Sequence, residues 1–266
     1  MLCDFHLHTD FSADSDAPVR SQIEQAIALG MQEICITDHH DYDTHNPKSP
    51  FILDFSRYLP YLEQVREEYK DRIRVNIGVE LGLLLHDHDA LKVQAQSYPF
   101  DYIIGSSHFV DDMDPYFPAY FEGRSERHSY ERYFEVSLNR VRAMDCFDSF
   151  GHLDYVVRYG PTRNKNYSYQ SYQEFIDPIL KTLAEKGKGL ECNTGGLKYG
   201  LGHPNPTEDI LKRYRALGGE ILTIGSDAHA PQHVGYDFHL LPELLKACGF
   251  RYYTVFHERK PVFLPL

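Results

Sequence analysis

Short apolar runs alternate with longer amphipathic segments along the chain. Seven apolar runs are predicted to be buried strands, at residues 2–7, 33–37, 75–80, 101–106, 148–153, 189–194 and 220–225. Seven segments with helical spacing of apolar residues follow them, at residues 18–30, 54–71, 87–97, 125–145, 171–187, 207–218 and 237–248. Because a parallel return between strands needs a crossover, usually a helix, the alternation predicts βα units on a parallel sheet. A closed or distorted barrel fits these units better than an open sheet.

The sequence predicts a last strand in the C-terminal tail and a lid in the longest loop. Residues 252–256 (YYTVF) are predicted to form a last strand, and Pro261 and Pro265 are expected to limit how far it pairs. The stretch from Tyr159 to Ser171 is a candidate lid over a site. No low-complexity linker or break in composition divides the sequence, so we expect a single domain over residues 1–266.

The composition is that of a globular protein that needs neither disulfide bonds nor a structural metal ion to fold. The 266 residues are 42% hydrophobic and 25% charged, and a chain of this length buries roughly three-quarters of its unfolded surface. The five cysteines stand singly, with no CxxC pair, which favours buried, reduced thiols over disulfides or a thiolate zinc site. Any bound metal is therefore expected to have a catalytic role and not a structural one.

The charge and the absence of long apolar runs exclude two classes of partner. The net charge of −12 at pH 7 argues against a nucleic-acid partner, because no block of positive charge offsets it. The sequence has no run of ~18 apolar residues for a membrane span, and MLCDFHLH has no basic region followed by an apolar core. We therefore expect a cytoplasmic protein with no membrane partner. The sequence carries no signal for an oligomeric state.

Potential metal ligands stand at the carboxyl ends of six of the seven predicted strands. They are His6, His8, Asp38, His39, His40, Glu80, His108, His152, Asp227 and His229, while Asn193 ends the remaining strand. In a βα barrel this end is the rim where active sites are built. A lone histidine there is more often a hydrogen-bonded core or surface residue, but the convergence of the whole set predicts a metal site.

Spacing and ligand chemistry narrow the kind of site. Residues two apart on an extended chain point the same way, so His6 with His8, and Asp227 with His229, can each bind one ion. Imidazole together with carboxylate favours Zn, Mn, Fe or Ni over Mg or Ca. The ligands outnumber those of one tetrahedral ion, which indicates two or three ions with Glu80 and Asp227 as bridges. The other histidines are expected to be surface or supporting residues: His45, His86, His88, His128, His203, His233, His239 and His257.

Six short motifs carry a resemblance to a known family. They are HLH (6–8), TDHH (37–40), GVELG (78–82), GSSH (105–108), FGHLD (150–154) and GSDAH (225–229). In this order they resemble the motifs of the polymerase and histidinol phosphatase (PHP) metallohydrolases. Within that family, DYVVRYG (154–160) and NTGGLKYG (193–200) are most similar to the stand-alone L-histidinol-phosphate phosphatases. The resemblance implies an α/β fold, a single-domain distorted (βα)7 barrel, and hydrolysis of L-histidinol phosphate in histidine biosynthesis.

The resemblance also implies a site of two to three divalent ions, Zn, Mn or Fe, with the ligands divided among them. The first ion would be held by His6, His8, Glu80 and Asp227, and the second by Glu80, His108 and His152. The third would be held by Asp14, His39 and His229, with Asp227 as a further candidate. Asp14 departs from the family pattern, in which many members have histidine. We expect this harder oxygen ligand to weaken the third ion or to favour Mn, Fe or Mg over Zn.

Such a site suits phosphate monoesters, because a hydroxide held between two divalent ions is a strong nucleophile at neutral pH. The sequence has no GxSxG elbow or P-loop, consistent with a reaction that uses no protein nucleophile. Arg158 and Lys198 are candidates for binding the phosphate, with a solvated surface charge as the alternative for each. His40 is a candidate catalytic proton donor to the leaving oxygen, or a residue that only orients a neighbour.

The organic half of the substrate and the competing functions leave alternatives open. Either the acidic residues Asp111, Asp112 and Asp114 or the aromatic loop 114–121 is a candidate contact for the amine and imidazole of histidinol. Three functions share this rim: a small-molecule phosphatase, a phosphoesterase acting on nucleotides or nucleic acid, and a non-catalytic metal-binding accessory domain. The acidic charge and the full ligand set favour the phosphatase, with a small phosphorylated substrate as its partner.

Overall fold

The computed structural model describes residues 3–266, and seven of its strands form a parallel barrel. The barrel strands follow the order β1-β2-β4-β5-β6-β7-β8. They are β1 (Cys3–Leu7), β2 (Glu33–Ile36), β4 (Arg74–Gly82), β5 (Tyr102–Ser106), β6 (Ser149–Phe150), β7 (Gly189–Asn193) and β8 (Leu222–Gly225). A two-residue strand, β3 (His39–His40), pairs with β4 beside this path. All the pairings within the barrel are parallel, as the alternating pattern predicted.

Helices cross over between the strands. They are α1 (Val19–Ala28), α2 (Phe55–Tyr69), α3 (His88–Ser97), α4 (Glu126–Ala143), α5 (Tyr169–Glu185), α6 (Gly195–Lys198), α7 (Glu208–Ala216) and α8 (Leu241–Ala247). In α2 the apolar stripe Leu59, Leu62, Val65 and Tyr69 is buried against the sheet, and the Asp54 side chain caps the helix by accepting from the Ser56 N–H. No helix within residues 3–266 has the length and apolar character that a membrane crossing requires.

The barrel nearly closes where β8 meets β1. The Asp227 N–H donates to the His6 carbonyl at 2.9 Å, and the His8 N–H donates to the Ala228 carbonyl at 3.0 Å. The buried Gln22 amide of α1 spans this seam and donates to the His8 and Ala228 carbonyls at 2.6 and 2.9 Å. The predicted distorted (βα)7 barrel is thereby confirmed, and its closure brings the first and last predicted motifs side by side.

The C-terminal tail forms a hairpin, not a further barrel strand. Strand β9 (Tyr252–His257) pairs antiparallel with β10 (Lys260–Pro265), and the register runs from Lys260 opposite His257 to Pro265 opposite Tyr252. The expectation that the two prolines would limit pairing was therefore wrong. Strand β10 has a single neighbour, and an edge strand tolerates proline where the missing N–H would face away from that neighbour.

This hairpin covers the amino end of the barrel, opposite the rim that carries the motifs. The Phe256 ring stacks on Tyr102 with centroids 5.1 Å apart, and the Arg259 N–H donates to the Asp101 carbonyl at 2.9 Å. The Thr254 hydroxyl accepts from the Leu222 N–H at 3.3 Å. One end of the barrel is therefore sealed by the hairpin, and access to the interior is from the carboxyl ends of the strands.

The loop predicted as a lid is fixed at the rim by hydrogen bonds. The Asn164 amide donates to the Leu201 carbonyl at 2.5 Å, and the Tyr130 hydroxyl donates to the Arg163 carbonyl at 3.0 Å. Helix α5 begins at Tyr169, so the loop is shorter than expected. The cysteines are all buried and free, as their single placement indicated.

Candidate metal centre

The carboxyl ends of the strands bring the nine predicted metal ligands to one rim, where they form three adjoining groups around Glu80. In the first group, Glu80 Oε2 lies 3.2 Å from His6 Nε2 and 3.5 Å from His8 Nε2. Asp227 Oδ1 completes the group at 3.4 Å from His8 Nε2 and 3.9 Å from His6 Nε2. His6 and His8 share a face because side chains alternate along β1.

The other oxygen of Glu80 reaches the second group. Glu80 Oε1 lies 3.2 Å from His108 Nε2 and 2.9 Å from His152 Nε2. The side chain is completely buried, and its two oxygens point to different groups. This is the arrangement expected of a carboxylate that bridges two ions.

The third group lies at the mouth and includes Asp14. Asp14 Oδ2 is 3.2 Å from His229 Nε2 and 3.6 Å from His39 Nε2. The His8 ring stacks between His39 and His229, each with centroids 4.1 Å away. Burial raises the pKa of Asp14, but hydrogen bonds from His229 and His39 outweigh it and lower that pKa overall. The Asp14 carboxylate is thus placed to bind the same ion as His39 and His229.

Three of the histidine rings, those of His6, His8 and His108, are oriented by hydrogen bonds at Nδ1, which leave Nε2 directed at the centre. His6 Nδ1 donates to Glu191 at 2.6 Å, and His108 Nδ1 donates to Asp41 at 2.9 Å. His8 Nδ1 lies 3.2 Å from Ser12 Oγ, whose own proton goes to Asp38. A neutral imidazole with its proton on Nδ1 carries a lone pair on Nε2, which is the state that binds a metal ion.

The unpartnered polar atoms at the centre fit divalent cations. Nε2 of His6 and His8, Nδ1 of His39 and Oε2 of Glu80 are buried without a hydrogen-bond partner, although the three nitrogens lie 2.9 to 3.5 Å from that oxygen. Buried polar atoms are rarely left without partners. Ligands about 2.1 Å from a tetrahedral ion lie about 3.4 Å from one another. The donor set therefore matches the coordination spheres of Zn, Mn or Fe in composition and spacing.

The carboxylates of the centre are held in the ionised state. Burial by itself would raise the pKa of Glu80, but without a bound ion the protonated imidazoles of His6, His108 and His39 hold it well below the usual value. Burial likewise opposes ionisation of Asp227, yet the charges of Arg158 and His6 hold its pKa well below the usual range. Asp227 also has a left-handed backbone, with φ of 56°, a strained conformation of the kind that clusters at functional sites.

Two carboxylates that orient ligands were missed by the sequence reasoning. Glu191 binds His6, and its second oxygen accepts from the His152 N–H at 2.8 Å. Asp41 follows TDHH directly and binds His108. The available signal for Glu191 was its place in β7 two residues before Asn193, on the same face of the strand.

Arg158, the predicted phosphate contact, is buried beside the predicted metal ligands. Its Nη1 donates to Asp227 Oδ2 at 2.8 Å, Nη2 donates to Asn193 Oδ1 at 2.9 Å, and Nε donates to Asn205 Oδ1 at 2.8 Å. The guanidinium has five N–H donors, so one remains on each Nη nitrogen. Lys198 lies outside the lining of the cleft, and its Nζ donates to the Asp227 carbonyl at 2.7 Å.

His40 points away from the centre, which favours the second of its two predicted roles, that of orienting a neighbour. Its Nδ1 accepts from the Leu53 N–H at 3.0 Å, its Nε2 lies 3.1 Å from Gln94 Oε1, and its ring packs on Phe55. Burial lowers the pKa of His40 to about 4. Consecutive residues on a strand face opposite sides, so His39 at the rim directs His40 outward. His40 therefore supports the loop that precedes α2.

A cleft of about 360 Å³ opens at the predicted metal ligands, and seven of its lining side chains are phenylalanine or tyrosine. The lining includes Phe51, Asp114, Tyr116, Phe117, Tyr155, Arg158, Tyr159 and Tyr199. Asp114 Oδ1 accepts from the Tyr155 hydroxyl at 3.1 Å. Asp111 instead binds Arg132 and lies outside this lining. Both sequence alternatives are thus represented, by Asp114 and by the aromatic residues that follow it.

Comparison with known proteins agrees with this geometry. The family model of the PHP domain matches residues 4–195. The histidinol-phosphatase of Lactococcus lactis subsp. lactis is 34% identical over 262 residues, which cover 97% of this chain and 95% of the relative. A probable histidinol-phosphatase of Thermotoga maritima is 31% identical over 254 residues, with 96% and 95% covered.

A solved structure resembles this one over nearly its whole length. It is the crystal structure of histidinol phosphate phosphatase from Lactococcus lactis subsp. lactis, complexed with zinc, L-histidinol and phosphate. It matches with a TM-score of 0.88 and 32% sequence identity, and the match covers 98% of each chain. With the barrel, the convergent ligand groups and the extent of these matches together, the chain belongs to the PHP domain family.

Proposed function

We propose that this chain is a metal-dependent phosphomonoesterase that hydrolyses L-histidinol phosphate to L-histidinol and phosphate. The observation that carries the proposal is the convergence of five histidines on the two oxygens of Glu80, beside an arginine with free N–H groups. The names of the full-length relatives, and the histidinol and phosphate bound in the Lactococcus structure, support the choice of substrate.

The proposed ligands are the nine residues of the three groups, with Glu80 shared between the first and the second. Divalent ions bound there supply positive charge for the phosphoryl oxygens and a water activated at neutral pH. The chain holds the imidazoles of His6, His108 and His8 in the metal-binding tautomer through Glu191, Asp41 and Ser12. It also keeps Glu80 and Asp227 ionised, so that the pocket attracts cations.

Arg158 is the proposed protein contact to the phosphoryl group. Its fork is fixed by Asp227, Asn193 and Asn205, so the two remaining N–H groups are aligned before substrate binds. A fixed guanidinium stabilises charge on phosphoryl oxygens without reorganising during the reaction. Lys198 contributes by supporting the strained Asp227 turn through its carbonyl.

The organic half of the substrate is proposed to lie against Asp114 and the aromatic walls. The amine of histidinol is a cation, and a carboxylate with neighbouring aromatic faces attracts cations. Burial raises the pKa of Asp114 from its usual value, and a bound ammonium would stabilise the charged form. The cleft thus has a phosphate end, at Arg158, and a cation end, at Asp114.

The test is phosphate release from a panel of phosphomonoesters by protein of measured metal content. We expect kcat/KM for histidinol phosphate to exceed that for 4-nitrophenyl phosphate, a nucleoside 5′-monophosphate and a phosphorylated oligonucleotide. Asp114→Asn should reduce kcat/KM for histidinol phosphate by about tenfold, the scale of one lost charge contact, and leave 4-nitrophenyl phosphate within about twofold. Equal rates on all esters would contradict the substrate, and no phosphate release from any ester by metal-loaded protein would contradict the phosphatase.

A further inference from the structure

A second group of metal-binding side chains lies outside the cleft. Asp43 and His45 lie in the loop after β3, and His86 lies in the 3-10 turn after β4. The two segments are neighbours because β3 pairs with β4, with His40 opposite Leu81. Potential ligand atoms of these three residues all lie within 4.8 Å of one another. The sequence pattern had indicated surface or supporting roles for both histidines.

The contacts around His86 bring two carboxylates to one nitrogen. His86 Nε2 lies 2.9 Å from Asp43 Oδ1 and 3.2 Å from Asp87 Oδ2. A single proton on Nε2 cannot form a linear hydrogen bond to both oxygens, and the two carboxylates repel each other. A cation in the same space would neutralise both charges and accept the nitrogen lone pair. The distances are close to the spacing of about 3.4 Å between ligands of a tetrahedral ion.

The surrounding backbone holds this group in place. Asp87 is buried, and its Oδ2 also accepts from the Thr44 N–H at 2.8 Å. Asp43 Oδ1 accepts from the His45 N–H at 2.8 Å. The His45 ring stacks on His86 with centroids 3.9 Å apart. His45 is exposed, so its ring is free to rotate from this stack until a nitrogen faces the ion.

We propose that Asp43, His45 and His86, with Asp87 as the fourth ligand, form a peripheral site for a divalent ion of the Zn²⁺ type. Two imidazoles and two carboxylates suit this class of ion. The ion would join the loop after β3 to the turn after β4. That loop also carries Asp41, which orients His108, and Phe51, which lines the cleft. The role of the ion is to order the loop after β3. The proposal does not depend on the phosphatase activity.

The experiment is a calorimetric titration of Zn²⁺ into holoenzyme whose catalytic ions have been loaded and counted by elemental analysis. The wild type should bind one further Zn²⁺ per chain, and His86→Ala and His45→Ala should bind it at least about tenfold more weakly. His88→Ala is the matched control, because this nearby histidine contacts Asp89 and is not part of the group. It should behave as the wild type. Identical isotherms for the wild type and His86→Ala would overturn the proposal.

Hydrogen exchange supplies a readout that is independent of ion counting. Added Zn²⁺ should slow amide exchange in residues 43–47 of the wild type and of His88→Ala, and should have no such effect in His86→Ala. The kcat of His86→Ala should stay within about twofold of the wild type, because His86 is not part of the cleft lining. Extra Zn²⁺ that binds without protecting this segment would show that it occupies some other place, and the proposal would be wrong.

Discussion

Glu191 accepts a hydrogen bond from Nδ1 of His6 at 2.6 Å, deep inside the barrel. The same carboxylate accepts from the His152 N–H at 2.8 Å and from the Asn193 amide at 3.0 Å. Asn193 in turn accepts from Arg158. One buried side chain on β7 thereby connects a proposed ligand of the first ion, the backbone of a ligand of the second, and the residue that fixes the arginine.

Glu191→Gln should weaken metal binding by about 10- to 100-fold, because a carboxylate that orients a metal-binding histidine typically contributes this much. An amide cannot accept from all three donors, and its NH₂ would face at least one of them. Competition with a chelator measures the affinity. Glu220→Gln, at an exposed position just before β8, is the matched control and should bind metal as the wild type does. Unchanged affinity in Glu191→Gln would remove Glu191 from the centre.

Glu80→Ala should abolish turnover and lower the number of bound ions, while the chain stays folded. Glu80 contacts ligands of both groups with its two oxygens, and it lies at the rim end of β4. Circular dichroism and elemental analysis separate loss of metal from loss of fold. More than about a tenth of the wild-type rate in a folded, metal-loaded variant would contradict a bridging role.

Asp227→Ala should have the same effect on turnover for a different reason. Asp227 joins the first group to Arg158, so its loss frees the guanidinium as well as an ion ligand. Phosphate inhibition of the variant, measured at matched metal content, reports on the arginine. Wild-type inhibition together with full turnover would show that Asp227 is not needed.

Arg158→Ala should lower kcat/KM for phosphate esters by about 2 to 4 kcal/mol of transition-state stabilisation, the scale for removing one donor to developing charge. Arg158→Lys should recover only part of the loss, since an ammonium retains the charge but cannot form the fork. Steady-state kinetics at equal metal content makes the comparison. A rate within about twofold of the wild type for Arg158→Ala would make this arginine a bystander.

His40→Ala should lower the free energy of unfolding by about 1 to 3 kcal/mol, because the Leu53 N–H loses its acceptor in a buried position. The kcat of the folded variant should remain near that of the wild type, since His40 faces away from the cleft. Chemical denaturation and initial rates measure the two effects. His128→Ala, at an exposed position, is the control for stability. A collapse of kcat without loss of stability would restore His40 as a catalytic residue.

Local pattern in the sequence was sufficient to predict the barrel and most of its rim. Apolar runs separated by amphipathic segments indicate parallel βα units whatever the details of packing. The pair His6 and His8 follows from the two-residue repeat of extended chain, whereas Asp227 and His229 lie beyond β8, and Asp227 has a left-handed backbone. Glu80 stood out because it lies at the carboxyl end of a predicted strand, on the same rim as the other potential ligands. Each of these inferences depends on neighbours in sequence and on strand ends that any parallel barrel brings together.

Tertiary structure decided what depends on residues far apart in the chain. The choice between His39 and His40 required the pairing of His39 with Glu80, which sets the face that each ring occupies. The role of Glu191 required β7 to lie where its carboxylate meets His6, 185 positions away. The prolines of the tail did not reveal that it forms a hairpin over the end of the barrel. Proline is tolerated in an edge strand, and whether a strand lies at an edge depends on its neighbours in space. Sequence spacing determines which side chains share a face, and only the closed barrel determines what that face meets.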